Sequence, residues 1–227
     1  MAEEVYWWMG KNKSKAGPKP PRNPNKHHKT DPYPVVLSFN CPERIFFTSD
    51  THFGDEKVLR LSSRPFQTIE EMDAELISRW NETVPEDGIV FHLGDFGFVS
   101  YPRSHQLIRQ LHGKKYLVLG NHDQTTLCRG HASMFEDVSQ QMCINVDGQR
   151  IFLNHCPMLC YPNETTSVWQ LFGHVHSGPL NQNGNDLVRL PYLMPRQYDV
   201  GVDNNDFRPV SYYKVQEIIK NQIQRFN

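Results

Sequence analysis

Five short stretches of the 227-residue chain carry side chains that bind divalent metal ions: Asp50-Thr51-His52, Gly94-Asp95, Gly120-Asn121-His122-Asp123, Asn154-His155 and Gly173-His174-Val175-His176. Imidazole nitrogen together with carboxylate and amide oxygen suits manganese, iron, nickel or zinc, and a set without cysteine argues against a structural zinc site. Any one of these stretches alone reads as a turn or a helix cap. Their recurrence is the signal, because each follows a short apolar run, and in open α/β sheets functional groups gather beyond the carboxyl ends of the strands. Gly94, Gly120 and Gly173 stand just before ligand-type residues, where a residue without Cβ lets the backbone turn sharply and come close.

The elements that must position these groups are legible as runs of the right length. Ile45-Phe46-Phe47, Ile89-Val90-Phe91, Tyr116 to Leu119, Ile151-Phe152-Leu153 and Val168 to Phe172 are short enough for buried strands. Thr68 to Val84 predicts a helix, with Thr68 and Glu71 in capping-box spacing and Ile69, Met72, Leu76 and Trp80 along one face. A shorter helix is predicted through Leu107, Ile108 and Leu111, and a last amphipathic one through Val215, Ile218, Ile219 and Ile223. The pattern is that of an alternating α/β domain.

Composition narrows the class. Lys and Arg number 24 against 25 Asp and Glu, so the overall field does not hold the chain to duplex nucleic acid. The balance is uneven, with residues 1–40 at net +4 and the remainder at −5. Between Gly10 and Pro32 the one hydrophobic residue is Ala16, amid five prolines, so residues 1–40 are read as a basic, Pro-rich, disordered arm ahead of a domain at 41–227. No run approaches the roughly 18 apolar residues of a membrane span. The N-terminus lacks a signal-peptide pattern, and the five cysteines include no C-x-x-C pair. A cytoplasmic protein without a membrane anchor is expected, with its oligomeric state left open.

The ordered set Asp-x-His, Gly-Asp, Gly-Asn-His-Asp, His and Gly-His-x-His resembles the calcineurin-like metallophosphoesterase superfamily from about Ile45 to Pro209. Thr48 to Gly54, Arg64-Pro65-Phe66, His92 to Phe96 and Gly201-Val202-Asp203 are similar to its small, single-domain bacterial and phage members. The resemblance implies a four-layer α/β/β/α sandwich of two mixed sheets flanked by helices, with a dinuclear metal site at the strand carboxyl ends. It implies that Asp50, His52 and His176 hold one divalent ion and Asn121, His155 and His174 the other, with Asp95 bridging. The pair would activate a water as hydroxide for attack on a small phosphodiester or phosphomonoester. His122 would then assist the leaving group, and Asp123 would orient the His122 ring.

Other residues have readings of their own. Arg64 is a candidate phosphate clamp, since a guanidinium pairs two oxygens, with a surface ion pair as its plain alternative. Cys156 and Cys160 are read as packing residues, because the implied ligand set is complete without them. His92 suits support of the ligands from behind. Two departures from the small-member pattern stand beside ligand loops: Asp55, where a histidine is usual, and Cys156, where tyrosine is common. An acidic Asp55 near the phosphate pocket would change substrate preference. Two further readings compete with a small-substrate hydrolase. One is a nuclease whose arm, with Trp7 and Trp8, holds single-stranded nucleic acid; the other is a non-catalytic scaffold, which has no need of a full ligand set.

Overall fold

A computed structural model describes residues 34–97, 101–123, 131–161, 167–181 and 187–226. Most of the predicted arm, including Trp7 and Trp8, lies outside them. Among the described residues the strands are β1 (Leu37–Phe39), β2 (Ile45–Thr48), β3 (Ile89–His92), β4 (Lys114–Val118), β5 (Asp137–Ser139), β6 (Gln141–Val146), β7 (Gln149–Asn154), β8 (Trp169–Phe172), β9 (Gln197–Asp199) and β10 (Val210–Ser211). The α-helices among them are α1 (Glu56–Leu61), α2 (Ile69–Thr83), α3 (Tyr101–Gln110) and α4 (Tyr212–Phe226). They build a mixed α/β fold with two five-stranded sheets, ordered β10-β2-β3-β4-β5 and β1-β6-β7-β8-β9. Both sheets are mixed: β10 runs against β2 in the first and β6 against β7 in the second, while the other pairings are parallel.

Strand periodicity explains the layering. Successive side chains alternate between faces, so Ile45 and Phe47 of β2, Phe91 of β3 and Val118 of β4 point between the sheets. There they meet Met142, Ile144, Ile151, Leu153 and Leu171 of the second sheet. Phe46, Val90 and Leu117 point the other way, under Val58 of α1, Met72, Leu76 and Trp80 of α2, and Leu107 and Ile108 of α3. Parallel neighbours need crossovers, and these helices supply them for β2 to β3 and β3 to β4. Thr68 caps α2 by accepting from the Glu71 amide at 3.2 Å. The reciprocal arm of the capping box lands one residue earlier than expected, with Glu71 accepting from the Gln67 amide.

The expectation of helices on both outer faces is met on one side. Among the described residues, the outer face of the second sheet (Cys143, Phe152, Val168) is covered by Tyr161 and Met158 of the segment after β7. Here β6 and β7 form a hairpin through Asp147-Gly148, both at positive φ, a turn that needs no crossover helix. Instead α4 closes the open edge of the sandwich, touching β9 and β10. It sends Tyr212, Val215 and Ile219 into the inter-sheet core. Strand β1 pairs in parallel with β6, inside the stretch read from sequence as arm; three residues are too few for periodicity to show. No helix among the described residues is long and apolar enough to cross a membrane.

Candidate metal centre

The parallel strands β2, β3 and β4 of one sheet and β7 and β8 of the other deliver their carboxyl-terminal loops to one place. Asp50 and His52 follow β2, Asp95 follows β3, Asn121 follows β4, His155 follows β7, and His174 and His176 follow β8. Three groups of potential ligand atoms result, each with its atoms within 4.8 Å of one another: Asp50, His52 and His176; Asp50, Asp95 and His155; and His155, Cys156 and His174. Asp95 Oδ2 lies 3.7 Å from His52 Nε2 and 3.4 Å from His155 Nε2, between the first group and the third. Asn121 Oδ1 is 3.0 Å from both His155 Nε2 and His174 Nδ1. All seven residues taken as ligands from the resemblance are thus brought together.

The backbone is bent to achieve this. Asp50, His52, Asp95, His174 and His176 all have φ between 48° and 70°, the left-handed region that costs a non-glycine residue of order 1 kcal/mol or more. Such strain at five ligand positions in one cluster requires the surrounding structure to hold it. Gly94, at φ 99°, shows how tightly the loops pack, since a Cβ there would lie 2.6 Å from both the Gly120 backbone and His155 Nδ1. At Gly173 a Cβ would collide with Ser49 Oγ and Asp50 Oδ2.

Three of the four histidines are aimed by their second nitrogen. His155 Nδ1 donates to the Leu93 carbonyl at 2.7 Å, which frees Nε2 for the centre. His176 Nδ1 meets Asp203 Oδ2 at 2.8 Å and Ser62 Oγ at 3.1 Å. His52 Nδ1 meets Asp55 Oδ2 at 3.2 Å. Partners of this kind fix ring orientation and tautomer in metal sites. Asp55 also caps α1 by accepting from the Lys57 amide. The Asp55 carboxylate, expected near a phosphate pocket, is thus engaged by the His52 ring and the Lys57 amide.

Further expectations meet the structure differently. Arg64 is neither a phosphate clamp nor a surface ion pair. Its side chain is fully buried, with Nε and Nη2 on the two oxygens of Asp203 at 2.9 and 2.8 Å and the remaining bonds on the Asp50 and Thr51 carbonyls and Met72 sulfur. The guanidinium is saturated by protein, so it braces the loop carrying Asp50 and the loop carrying Asp203. Asp123, read from sequence as orienting the His122 ring, is buried, and its carboxylate accepts from the Asp95, Phe96 and Gly120 amides at 2.7–2.9 Å. It ties the β3 and β4 loops together. Cys156 and Cys160 are exposed rather than packed.

The electrostatics mark a centre in need of positive charge. Burial opposes ionisation of Asp95, yet the hydrogen bond and charge of His155 hold its carboxyl well below the usual carboxylate range. Burial also disfavours charge on His155, but Asp95 and Asp50 outweigh it and lift the imidazole to about 9. Asp50 is fully buried, its Oδ2 accepts from the His174 amide, and its Oδ1 accepts no hydrogen bond. An orphaned buried carboxylate oxygen is costly unless a cation meets it, so the residues fit a metal ion. His92 is different: burial drives it down to about 3. Thr51 Oγ1 donates to the Phe96 carbonyl, so His92 Nε2–H donates to that hydroxyl, 2.9 Å away.

Sequence reasoning gave no role to Asp203 or Ser62. Asp203 had a signal, since it ends Gly201-Val202-Asp203 shortly after an apolar-containing strand, as the ligand loops do. Ser62 had none, because its meeting with His176 spans 114 residues.

No protein-family model matches the chain. An uncharacterized protein of Methanocaldococcus jannaschii is 28% identical over 181 residues, covering 78% of this chain and 92% of its own length. The gene 66 protein of Mycobacterium phage L5 is 29% identical over 189 residues, covering 70% of this chain and 86% of its own. Among solved structures, an Aquifex aeolicus protein of unknown function superposes with a TM-score of 0.56 at 23% identity, covering 77% of this chain and 98% of that one. The likeness establishes a shared fold.

Two predictions follow from the braces. Arg64→Ala leaves Asp203 charged and buried without its partner and should cost about 3–5 kcal/mol in urea unfolding; Arg64→Lys should recover only part, because an ammonium cannot replace the fork. For His92 the unfolded ring titrates near 6.5 and the folded one near 3, so the unfolded state binds the extra proton between those values. Stability should fall as pH drops through that window, and His92→Gln should flatten the slope by about 1.4 kcal/mol per pH unit. Parallel stability–pH curves for the two proteins would contradict this.

Proposed function

We propose that this protein is a metal-dependent phosphoester hydrolase of the calcineurin-like metallophosphoesterase type. The observation that supports this best is the gathering of buried Asp50 and Asp95 with His52, His174 and His176 on strained left-handed turns, with Asn121 and His155 alongside. Asp50, His52 and His176 would hold one divalent ion and Asn121, His155 and His174 a second, with Asp95 shared. Two such ions supply an activated water and neutralise charge that builds on the phosphoryl oxygens. Manganese, iron, zinc or nickel all fit the nitrogen and oxygen donors.

The chain's own contribution is positioning and proton supply. Asp95 spends Oδ1 on the His122 amide at 2.9 Å, which leaves Oδ2 directed at the two histidine sets. His122 is exposed, with its ring 5.7 Å from that of His52. An imidazole at the rim of the site, reachable by solvent, suits delivery of a proton to the departing oxygen. Asn121 is exposed as well, so the mouth is open enough for a small phosphodiester or phosphomonoester.

Asp95→Asn should abolish hydrolysis of an aryl phosphoester in the presence of manganese, and undiminished turnover would overturn the assignment. His122→Asn should keep its metal content by elemental analysis yet turn over at least about a hundredfold more slowly. Loss of metal in step with rate would make His122 a ligand instead of a proton donor.

A further inference from the structure

We propose that Cys156 contributes a thiolate ligand to the ion held by His155 and His174, giving this half of the centre a mixed sulfur, nitrogen and oxygen shell. The inference rests on the metal-centre reading above and extends it by one donor. Cys156 Sγ lies within 4.8 Å of ring nitrogens of both His155 and His174, the same limit that the two groups containing Asp50 meet. An ion bonded to sulfur at about 2.3 Å and to imidazole at about 2.0–2.1 Å spans most of such a separation.

The surrounding contacts fit a donor held in place. The His155 and His174 rings are 5.1 Å apart and nearly perpendicular at 71°, so the two imidazoles that would share the ion with Cys156 are held against each other. The Cys156 carbonyl accepts from Gln170 Nε2 at 3.3 Å, and Gln170 is fully buried in β8. The backbone that carries the thiol is therefore tied to the strand that leads to His174. Coordination releases the thiol proton to solvent as the sulfur–metal bond forms, so occupancy gains strength as pH rises. A soft sulfur donor biases the half-site towards zinc and away from manganese, which prefers oxygen. The two halves of the centre would then differ in preference, and Asp95 would join unlike ions.

The test is a cadmium titration of the metal-stripped full-length protein, read by the ultraviolet thiolate-to-cadmium charge-transfer band and by equilibrium dialysis for stoichiometry. Wild type should bind two equivalents and develop the band. Cys156→Ser should bind two equivalents with the band lost, and Cys160→Ser should keep both. Two equivalents with the same band in Cys156→Ser and wild type, or with no band in either, would overturn the thiolate while leaving the metal centre intact. Failure of wild type to bind cadmium or manganese at all would overturn both readings.

Discussion

Two carboxylates buried at converging strand tips set the terms for this molecule. Asp50 and Asp95 are essentially without solvent contact, and an ionised carboxylate moved from water into protein costs several kcal/mol unless it is paired and hydrogen-bonded. The chain answers with polar contacts from several directions. Amides of His174 and His122 bond one oxygen of each carboxylate, and His155, His176 and His52 stand within 4 Å of the others. Arg64, the strongest cation nearby, is spent on Asp203 and touches Asp50 through its carbonyl. Among the described residues Asp50 Oδ1 is left fully buried without a hydrogen bond, a cost that a bound cation would relieve.

The same contacts hold the two sheets together at one end. His155, from the second sheet, donates to Leu93 of the first, and the His174 amide reaches Asp50 across the same gap. Ser49 pairs with Gly201 as an isolated bridge, continued by the Val202 amide on the Ser49 carbonyl. The candidate metal centre is thus also the seam of the sandwich. The strain of its left-handed turns is borne by the packed inter-sheet core directly below, where Ile45, Phe47, Phe91 and Leu171 are fully buried. Stability and site geometry are coupled here, so a change that loosens Arg64 or Asp123 frees the backbone of Asp50 or Asp95 that it holds.

Much of the fold was legible because strands buried on both faces appear as unbroken apolar runs: β2, β3, β4, β7 and β8 coincide with five of them. The strands that sequence reasoning passed over lack that signature. β1, β5, β9 and β10 have two or three residues, and β6 (Gln141–Val146) interleaves Asn and Gln with its apolar positions. Its hairpin was nonetheless signposted by Asp147-Gly148. At the site, residue types and their place after strands identified the side chains that converge. Their supporting partners were opaque, because partner choice depends on distance in space: Asp55 turns back to His52, Asp123 to three amides and Arg64 to a residue 139 positions away.

The most direct test of this account is anomalous diffraction from crystals of the full-length protein grown with manganese. Two peaks are expected on either side of the Asp95 carboxylate, one against Asp50, His52 and His176 and the other against Asn121, His155 and His174. A single peak at saturating metal, or none within reach of Asp95, would contradict a dinuclear centre and with it the proposed chemistry.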